Sequence, residues 1–523
     1  MKVADLLCLL LVAATACAAQ TGSISGVVRD AATGAPVADA GVSLRLRNSS
    51  SVASRADALG QYTLGDLPPG TYLVEASAPL ENGQTLTPQR EKTVTLEPGQ
   101  QRTAIDFRLP SAAIISGRIL DENEKPAPGE PVVLVEKRYD HGALRYQLAG
   151  GRAQTDEAGV YRLTGVPAGE VFLVETQAHP ATAPGDSPAS TFYPNALSAE
   201  SAGEIVLSPG ETRNGVDIHR VKAPAYCVDG VVEDAPVSTL VLDFFDTLVG
   251  NSSHAVQHNP AGHTKMKPDG TFHVCGLHSG QYAFTAEAAV AQNPFFSAGT
   301  LEVANGNIRD FKLLPAVMSP VFAEFVLDGD PPPNAPGPSG AVTLQGQRLG
   351  IQFSFGFGGA GSRSRVAMLP PDDYTVDLRA ISGGWYAKSV TCGGQSVLHG
   401  VAPFGGTTSC GALRFVFAHD GGSLTARVAD KDGNLIPDAC VAIIPESAAT
   451  EAEMSAMMTF GQTGPNGVYS ASALPPGKYR VLATNETIDL AANRVDKLWA
   501  AQSRGQEVEI GANSSVQVKL EIP

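Results

Sequence analysis

Residues 57–72 read Asp-Ala-Leu-Gly-Gln-Tyr-Thr-Leu-Gly-Asp-Leu-Pro-Pro-Gly-Thr-Tyr, and this pattern returns along the chain. It recurs as Asp156-Glu-Ala-Gly159-Val-Tyr161 with Val166-Pro167-Ala168-Gly169. It recurs again as Pro268-Asp269-Gly270-Thr-Phe272 with Leu277-His278-Ser279-Gly280-Gln-Tyr282, and as Pro465-Asn466-Gly467-Val-Tyr469 with Leu474-Pro475-Pro476-Gly477-Lys-Tyr479. In all four copies the two glycines stand ten residues apart. A degenerate copy keeps Leu369-Pro370-Pro371-Asp372-Asp373-Tyr374 but has Ser362 in place of the first glycine. Asp/Asn-Gly supplies a turn with φ > 0 at low steric cost. The alternating Gly-x-Tyr-x-Leu that follows reads as a half-buried strand. Pro-Pro-Gly stops that strand, because proline donates nothing to a ladder and presets a turn. The alternation then restarts at Tyr72-Leu-Val74. The pattern predicts two antiparallel strands joined by a short turn.

Working outward, each clear unit opens on a similar strand: Ile24-Ser-Gly26-Val-Val28, Ile115-Ser-Gly117-Arg-Ile119, Val228-Asp-Gly230-Val-Val232 and Leu424-Thr-Ala426-Arg-Val428. A Gly/Pro turn and a further strand follow, such as Val42-Ser-Leu44. Two more close the unit, as in Val94-Thr-Leu96 and Ile105-Asp-Phe107. About seven strands in about 100 residues suit an antiparallel two-sheet sandwich. The expected fold is therefore all-β: tandem seven-stranded antiparallel, immunoglobulin-like sandwiches. The expected modules are 20–110, 111–223, 224–316, a degenerate 317–416, and 417–523. Residues 487–503 carry an i, i+3, i+4, i+7 apolar rhythm and predict one short helix in the last module. Residues 451–460 read as a short helical or loop excursion whose Met454, Met457 and Met458 fill core.

The repeat explains the composition. The 523 residues include 55 Gly and 37 Pro, with 43% apolar and 17% charged residues. The apolar share argues against disorder. A net charge of −16 disfavours nucleic acid and anionic membranes as partners.

Residues 1–19 read as a secretory signal peptide: Lys2, an apolar run over 6–14, then small residues up to Ala19. Ala14-Thr15-Ala16-Cys17 also resembles a lipoprotein signal, although Ala14 stands where such signals carry Leu; a lipid anchor on Cys17 is the lesser reading. No later apolar stretch is long enough to span a bilayer. Beyond the signal remain Cys227, Cys275, Cys392, Cys410 and Cys440. An exported chain can oxidise them. Cys227–Cys275 and Cys392–Cys410 are the sequence-near pairings, and five buried thiols are the alternative.

The strings Gly-x-Val-x-Asp, Gly-x-Pro-Val-x-x-Ala-x-Val-x-Leu, Asp-x-x-Gly-x-Tyr and Leu-Pro-Pro-Gly-x-Tyr resemble the carboxypeptidase regulatory-like domain. Residues 26–76 match most closely, followed by 117–175, 422–483, 230–286 and 321–378. The resemblance implies transthyretin-like (prealbumin-like) sandwiches, akin to carbohydrate-binding-like folds. In metallocarboxypeptidases this module is an accessory to the catalytic domain, so the likeness implies no peptidase activity here.

Motifs for chemistry are sparse. His-x-x-Glu and His-Glu-x-x-His zinc spacings and the Gly-x-Ser-x-Gly elbow do not occur. Gly356-Phe-Gly358-Gly-Ala-Gly361 matches a dinucleotide fingerprint, but no helix follows, and a Gly-rich hairpin loop is the better reading. Five histidines crowd the third unit: His254, His258, His263, His273 and His278. His254, His258 and His263 are the nearest to a metal-ligand set, against a reading as a solvated loop, and no metal or cofactor is expected. Aromatic pairs that could stack on sugar rings are Trp385-Tyr386, Phe295-Phe296 and Phe192-Tyr193, with core packing as the alternative. The expected function is that of an exported, non-enzymatic binding or adhesion protein contacting carbohydrate or another extracellular polymer. The alternative is a structural spacer or assembly subunit of the cell envelope with protein partners only.

Overall fold

The computed structural model describes residues 21–522 apart from 32, 47–48, 78–89, 110, 141, 178–182, 234–239, 247–260, 289–294, 331–336, 360, 380, 382–383, 405–409 and 465. The leader and Cys17 lie outside the described residues. The chain divides into two compact units: residues 1–115 with 163–169 and 207–213, and the remainder.

Among the described residues, ten sheets fall, in chain order, into five pairs. The first pair shows the plan. Strand Gly22–Asp30 lies beside Gln61–Leu67, antiparallel, and beside Gln101–Arg102 and Phe107–Leu109, parallel. The facing sheet runs Ser49–Arg55, Gly41–Leu46, Gly70–Ser77, Arg90–Leu96, all antiparallel. Alternate residues of both sheets meet in one core of Ile24, Val28, Val42, Leu44, Tyr62, Tyr72, Val74 and Phe107. The chain is thus a tandem array of largely antiparallel β-sandwiches, as the repeat predicts. In each of the five, the opening strand pairs in parallel with the closing one. The degenerate unit is a complete sandwich: its five- and four-stranded sheets enclose Val321, Val342, Tyr374, Phe404 and Phe415.

The repeated motif does not form a hairpin. Gln61–Leu67 and Gly70–Ser77 flank the Pro-Pro-Gly turn but belong to different sheets. The same holds for Thr271–His278 and Gly280–Ala288, and for Val468–Leu474 and Gly477–Thr484. At each of these turns the chain crosses from one sheet to the other, with paired prolines in the first and last units and none at Leu277-His278-Ser279-Gly280 of the third. The tyrosine after the turn locks this corner: the hydroxyls of Tyr72, Tyr282, Tyr374 and Tyr479 donate to the carbonyls of Pro68, His278, Pro370 and Pro475. The first turn is fixed by its acid. Asp57 Oδ1 accepts from the Leu59 and Gln61 amides at 2.8 Å each, and Asp156 does the same for Ala158 and Val160. Gly60 has φ +74, and a Cβ there would fall 2.4 Å from the Val28 carbonyl oxygen.

A second glycine shapes the closing strand. A Cβ on Gly26, Gly117 or Gly230 would fall 2.1, 1.9 or 2.3 Å from the carbonyl oxygen of Ile105, Val216 or Phe311. Here the parallel ladder is interrupted, and in two units an aspartate fills the gap: Asp106 Oδ1 accepts from the Val27 amide and Asp217 Oδ1 from that of Arg118, both at 2.8 Å. The last unit has Ala426 at this position, and its ladder runs unbroken from Ser423–Ser515 to Ala429–Glu521.

Among the described residues of the last unit, two short α-helices occur rather than one. The excursion forms α1 (Glu451–Met457), whose N-cap Thr450 accepts from the Glu453 amide at 3.1 Å; Met454 is fully buried, as a core role predicts. The predicted helix over 487–503 forms only as α2 (Ala492–Ala501), followed by a single turn at Gln502–Arg504. Its expected first turn is extended instead. The Leu490 carbonyl accepts from the Tyr139 amide at 2.8 Å, and Ala491 bridges to Arg138 on strand Pro131–Asp140. A backbone partner outside the segment outbids the local helical rhythm. A further strand, Gly185–Pro188, lies within the stretch expected for the second module yet pairs with Lys222–Val232 of the third. Among the described residues, no helix is long and apolar enough to cross a membrane.

Candidate functional site

Of the aromatic pairs, Trp385, Tyr386 and Phe192 are buried. Trp385 is 2% exposed, sits in the fourth core and meets the His419 ring edge-on at 4.8 Å. Tyr386 is buried, its hydroxyl donating to Asp420 at 2.9 Å. Phe192 is buried between strands, and half-buried Tyr193 packs beside Gly203. Phe296 is half-buried on strand Phe295–Val303; the Phe295 side chain lies outside the described residues. Trp385, Tyr386 and Phe192 thus offer no ring face for a sugar, because closing each sandwich consumes them. The glycine run 356–361 is not a hairpin loop either. Its flanking strands, Gln352–Gly358 and Gly361–Leu369, lie in different sheets, and Phe357 stacks on Phe325 at 4.9 Å.

Of the histidine set, His254 and His258 lie outside the described residues. His263 is exposed and pairs with Asp243 at 2.6 Å. The structure joins Cys227 to Cys275 and Cys392 to Cys410, and leaves Cys440 a buried thiol.

One polar constellation emerges in the third sandwich. Cys227 stands opposite Cys275, and Asp229 opposite His273, on neighbouring antiparallel strands. Period-two alternation places all four on the face away from the core, which receives Val228 and Val274. His273 Nδ1 lies 2.6 Å from Asp229 Oδ1, and its Nε2 lies 3.0 Å from Cys275 Sγ. The Cys227, Cys275 and His273 ligand atoms lie within 4.8 Å of one another. With the sulfurs joined, no thiolate is present to hold a metal. Both halves are visible in the sequence, as Cys227-Val-Asp229 and His273-Val-Cys275. Only the register shows that they coincide.

A second constellation is buried beside the helices. Glu136 accepts from Gln147 at 3.1 Å and pairs with Arg138 at 3.3 Å. Arg494 of α2 pairs with Asp489 and, at 3.4 Å, with Glu170. Burial, seconded by the charge of Asp489, pushes the Glu170 carboxyl up to about 7 against the pull of Arg494. Burial raises Glu136 as well.

Residues 23–110 match the sequence model of the carboxypeptidase regulatory-like domain. None of the curated proteins matches the chain. Among solved structures, the Bacillus anthracis TIE protein is 11% identical, covering 92% of this chain and 68% of its own at a TM-score of 0.14. The minor pilin of Streptococcus agalactiae is 15% identical over 39% of this chain and 97% of its own, TM-score 0.24. The major pilin subunit of Bacillus cereus is 12% identical over 57% and 100%, TM-score 0.15. At TM-scores this low, none of the three bears on function.

Proposed function

We propose that this chain is an exported, non-enzymatic structural or assembly element of the cell envelope, built of five sandwich modules at 20–110, 111–223, 224–316, 317–416 and 417–523, with protein partners. The observation that carries the reading is the clasp between strand Pro131–Asp140 and the last sandwich. Tyr139 packs into the same apolar cluster as Met454, Val495 and Leu498, and its amide binds the Leu490 carbonyl. Strand Pro131–Asp140 is thereby joined to a sandwich some 350 residues away in sequence, which suits a part that holds position. A carbohydrate-binding role loses its main support, since Trp385, Tyr386 and Phe192 are in cores. Crosslinking in the native envelope followed by mass spectrometry tests the proposal. Reproducible protein neighbours are expected. Retention of purified protein on a polysaccharide array, with no fixed protein neighbour, would return the reading to adhesion.

A further inference from the structure

The strand face of the third sandwich that carries Asp229, His273, Cys227 and Cys275 points away from the Val228 and Val274 cluster; its two cysteines are buried, at 2% and 6% exposure, while the His273 and Asp229 side chains are half exposed. Its geometry suits proton transfer to sulfur. Asp229 accepts from Nδ1–H of His273, which fixes the ring and aims Nε2 at Cys275. The side chain of His273 is 47% exposed, so the imidazole exchanges protons with water. The two sulfurs are thus inequivalent: Cys275 has an imidazole at hydrogen-bond distance, and the Cys227 amide instead donates to Asn307 at 2.9 Å.

We propose that Cys227–Cys275 is a thiol–disulfide exchange site in which His273 is the acid for the departing Cys275 sulfur and Asp229 positions it. The co-reactant is a thiol. Local opening of the strand pair brings its thiolate to the buried Cys227 Sγ, which it attacks, forming a mixed disulfide as the Cys227–Cys275 bond breaks. The electron pair of that bond goes to Cys275 Sγ, which takes the proton from Nε2 of protonated His273. A second thiolate attacks the mixed disulfide, releasing the Cys227 thiolate, which takes its proton from water. The balance is one protein disulfide and two thiols giving two protein thiols and one external disulfide. In the reverse direction Nε2 removes the Cys275 proton and makes the attacking thiolate. Exchange runs faster when the leaving thiolate is stabilised, so the imidazole beside Cys275 directs attack to Cys227.

The test reduces the native full chain with dithiothreitol and follows both disulfides by quenched alkylation and mass spectrometry. Cys392–Cys410 is the internal control. His273→Gln, which cannot deliver a proton, is expected to slow reduction of Cys227–Cys275 by about tenfold while the control rate stays unchanged. Asp229→Asn is expected to slow the same reaction by a smaller factor, again without moving the control. An unchanged ratio of the two rates in His273→Gln overturns the proposal. So does a wild-type Cys227–Cys275 bond that opens only when the protein is unfolded.

Discussion

Replacing Glu170 by Gln probes the clasp between strand Pro131–Asp140 and α2. The Glu170 side chain is 11% exposed and shares Arg494 with Asp489. Its carboxyl titrates at about 7 in the folded protein, against 4.5 for the free side chain. Between those values the folded state holds a proton that the unfolded chain has released. Stability therefore falls as pH rises from 4.5 to 7, and this contribution is constant above that. The separation corresponds to a cost on the order of 3 kcal/mol for carrying the buried carboxylate at pH 8. Glutamine keeps the shape and loses the charge. The variant is expected to flatten the decline between pH 5 and 7 and to be more stable than wild type at pH 8, by about 1–3 kcal/mol once the lost Arg494 contact is subtracted. Urea unfolding at pH 5, 6, 7 and 8, read by the fluorescence of Trp499 on α2, measures this. Trp385 is common to both proteins and cancels in the comparison. Parallel pH profiles for wild type and variant would refute the reasoning, because the decline would then belong to other groups.

Other perturbations test the plan of the sandwich. Tyr374→Phe removes the hydroxyl that holds the Pro370 carbonyl, and is expected to cost about 1–3 kcal/mol of the fourth sandwich's stability in urea. Gly117→Ala drives a Cβ against the Val216 carbonyl and is expected to destabilise by more than about 3 kcal/mol or to block folding of that sandwich. Ala426→Gly, at the matching position of an unbroken ladder, should cost only about 0.5–1 kcal/mol; circular dichroism melts of the two variants separate the cases. Met454→Ala opens a cavity under α1, with an expected loss of about 2–5 kcal/mol and faster proteolytic cleavage near residues 447–458.

The sandwich plan was legible because glycines with positive φ and tyrosines bound to turn carbonyls recur at one interval, and those constraints are local. Partner strands are not. The motif around Leu67-Pro68-Pro69-Gly70 announces a turn, yet whether the next strand stays in the same sheet is set by partner strands elsewhere in the chain, and the proline-free turn at Leu277-His278-Ser279-Gly280 crosses sheets just as the proline-rich ones do. The rhythm of residues 487–503 is helical, but the backbone around Leu490 answers to Tyr139, some 350 residues upstream. The aromatic pairs stand beside Gly and Pro and so look loop-borne, whereas Trp385 turns inward where its strand begins. The Cys227, Asp229, His273 and Cys275 set shows the same limit. Each half is spaced for one strand face, and only the pairing of Asp229 with His273 makes the halves one site.

The parallel pairing of opening and closing strands has a mechanical consequence. A strand entering at one end of a sandwich, beside a last strand leaving at the other, means that tension on the chain pulls the two past each other. Their hydrogen bonds then bear load together, in shear, instead of parting one by one as an unzipped hairpin does. In the last sandwich seven residue pairs share that load, from Ser423–Ser515 to Ala429–Glu521. In the first, Gly26 splits the contact into a pair of two and a run of three. Single-molecule stretching should find the first sandwich yielding at lower force than the last, so that the chain would extend in graded steps under strain.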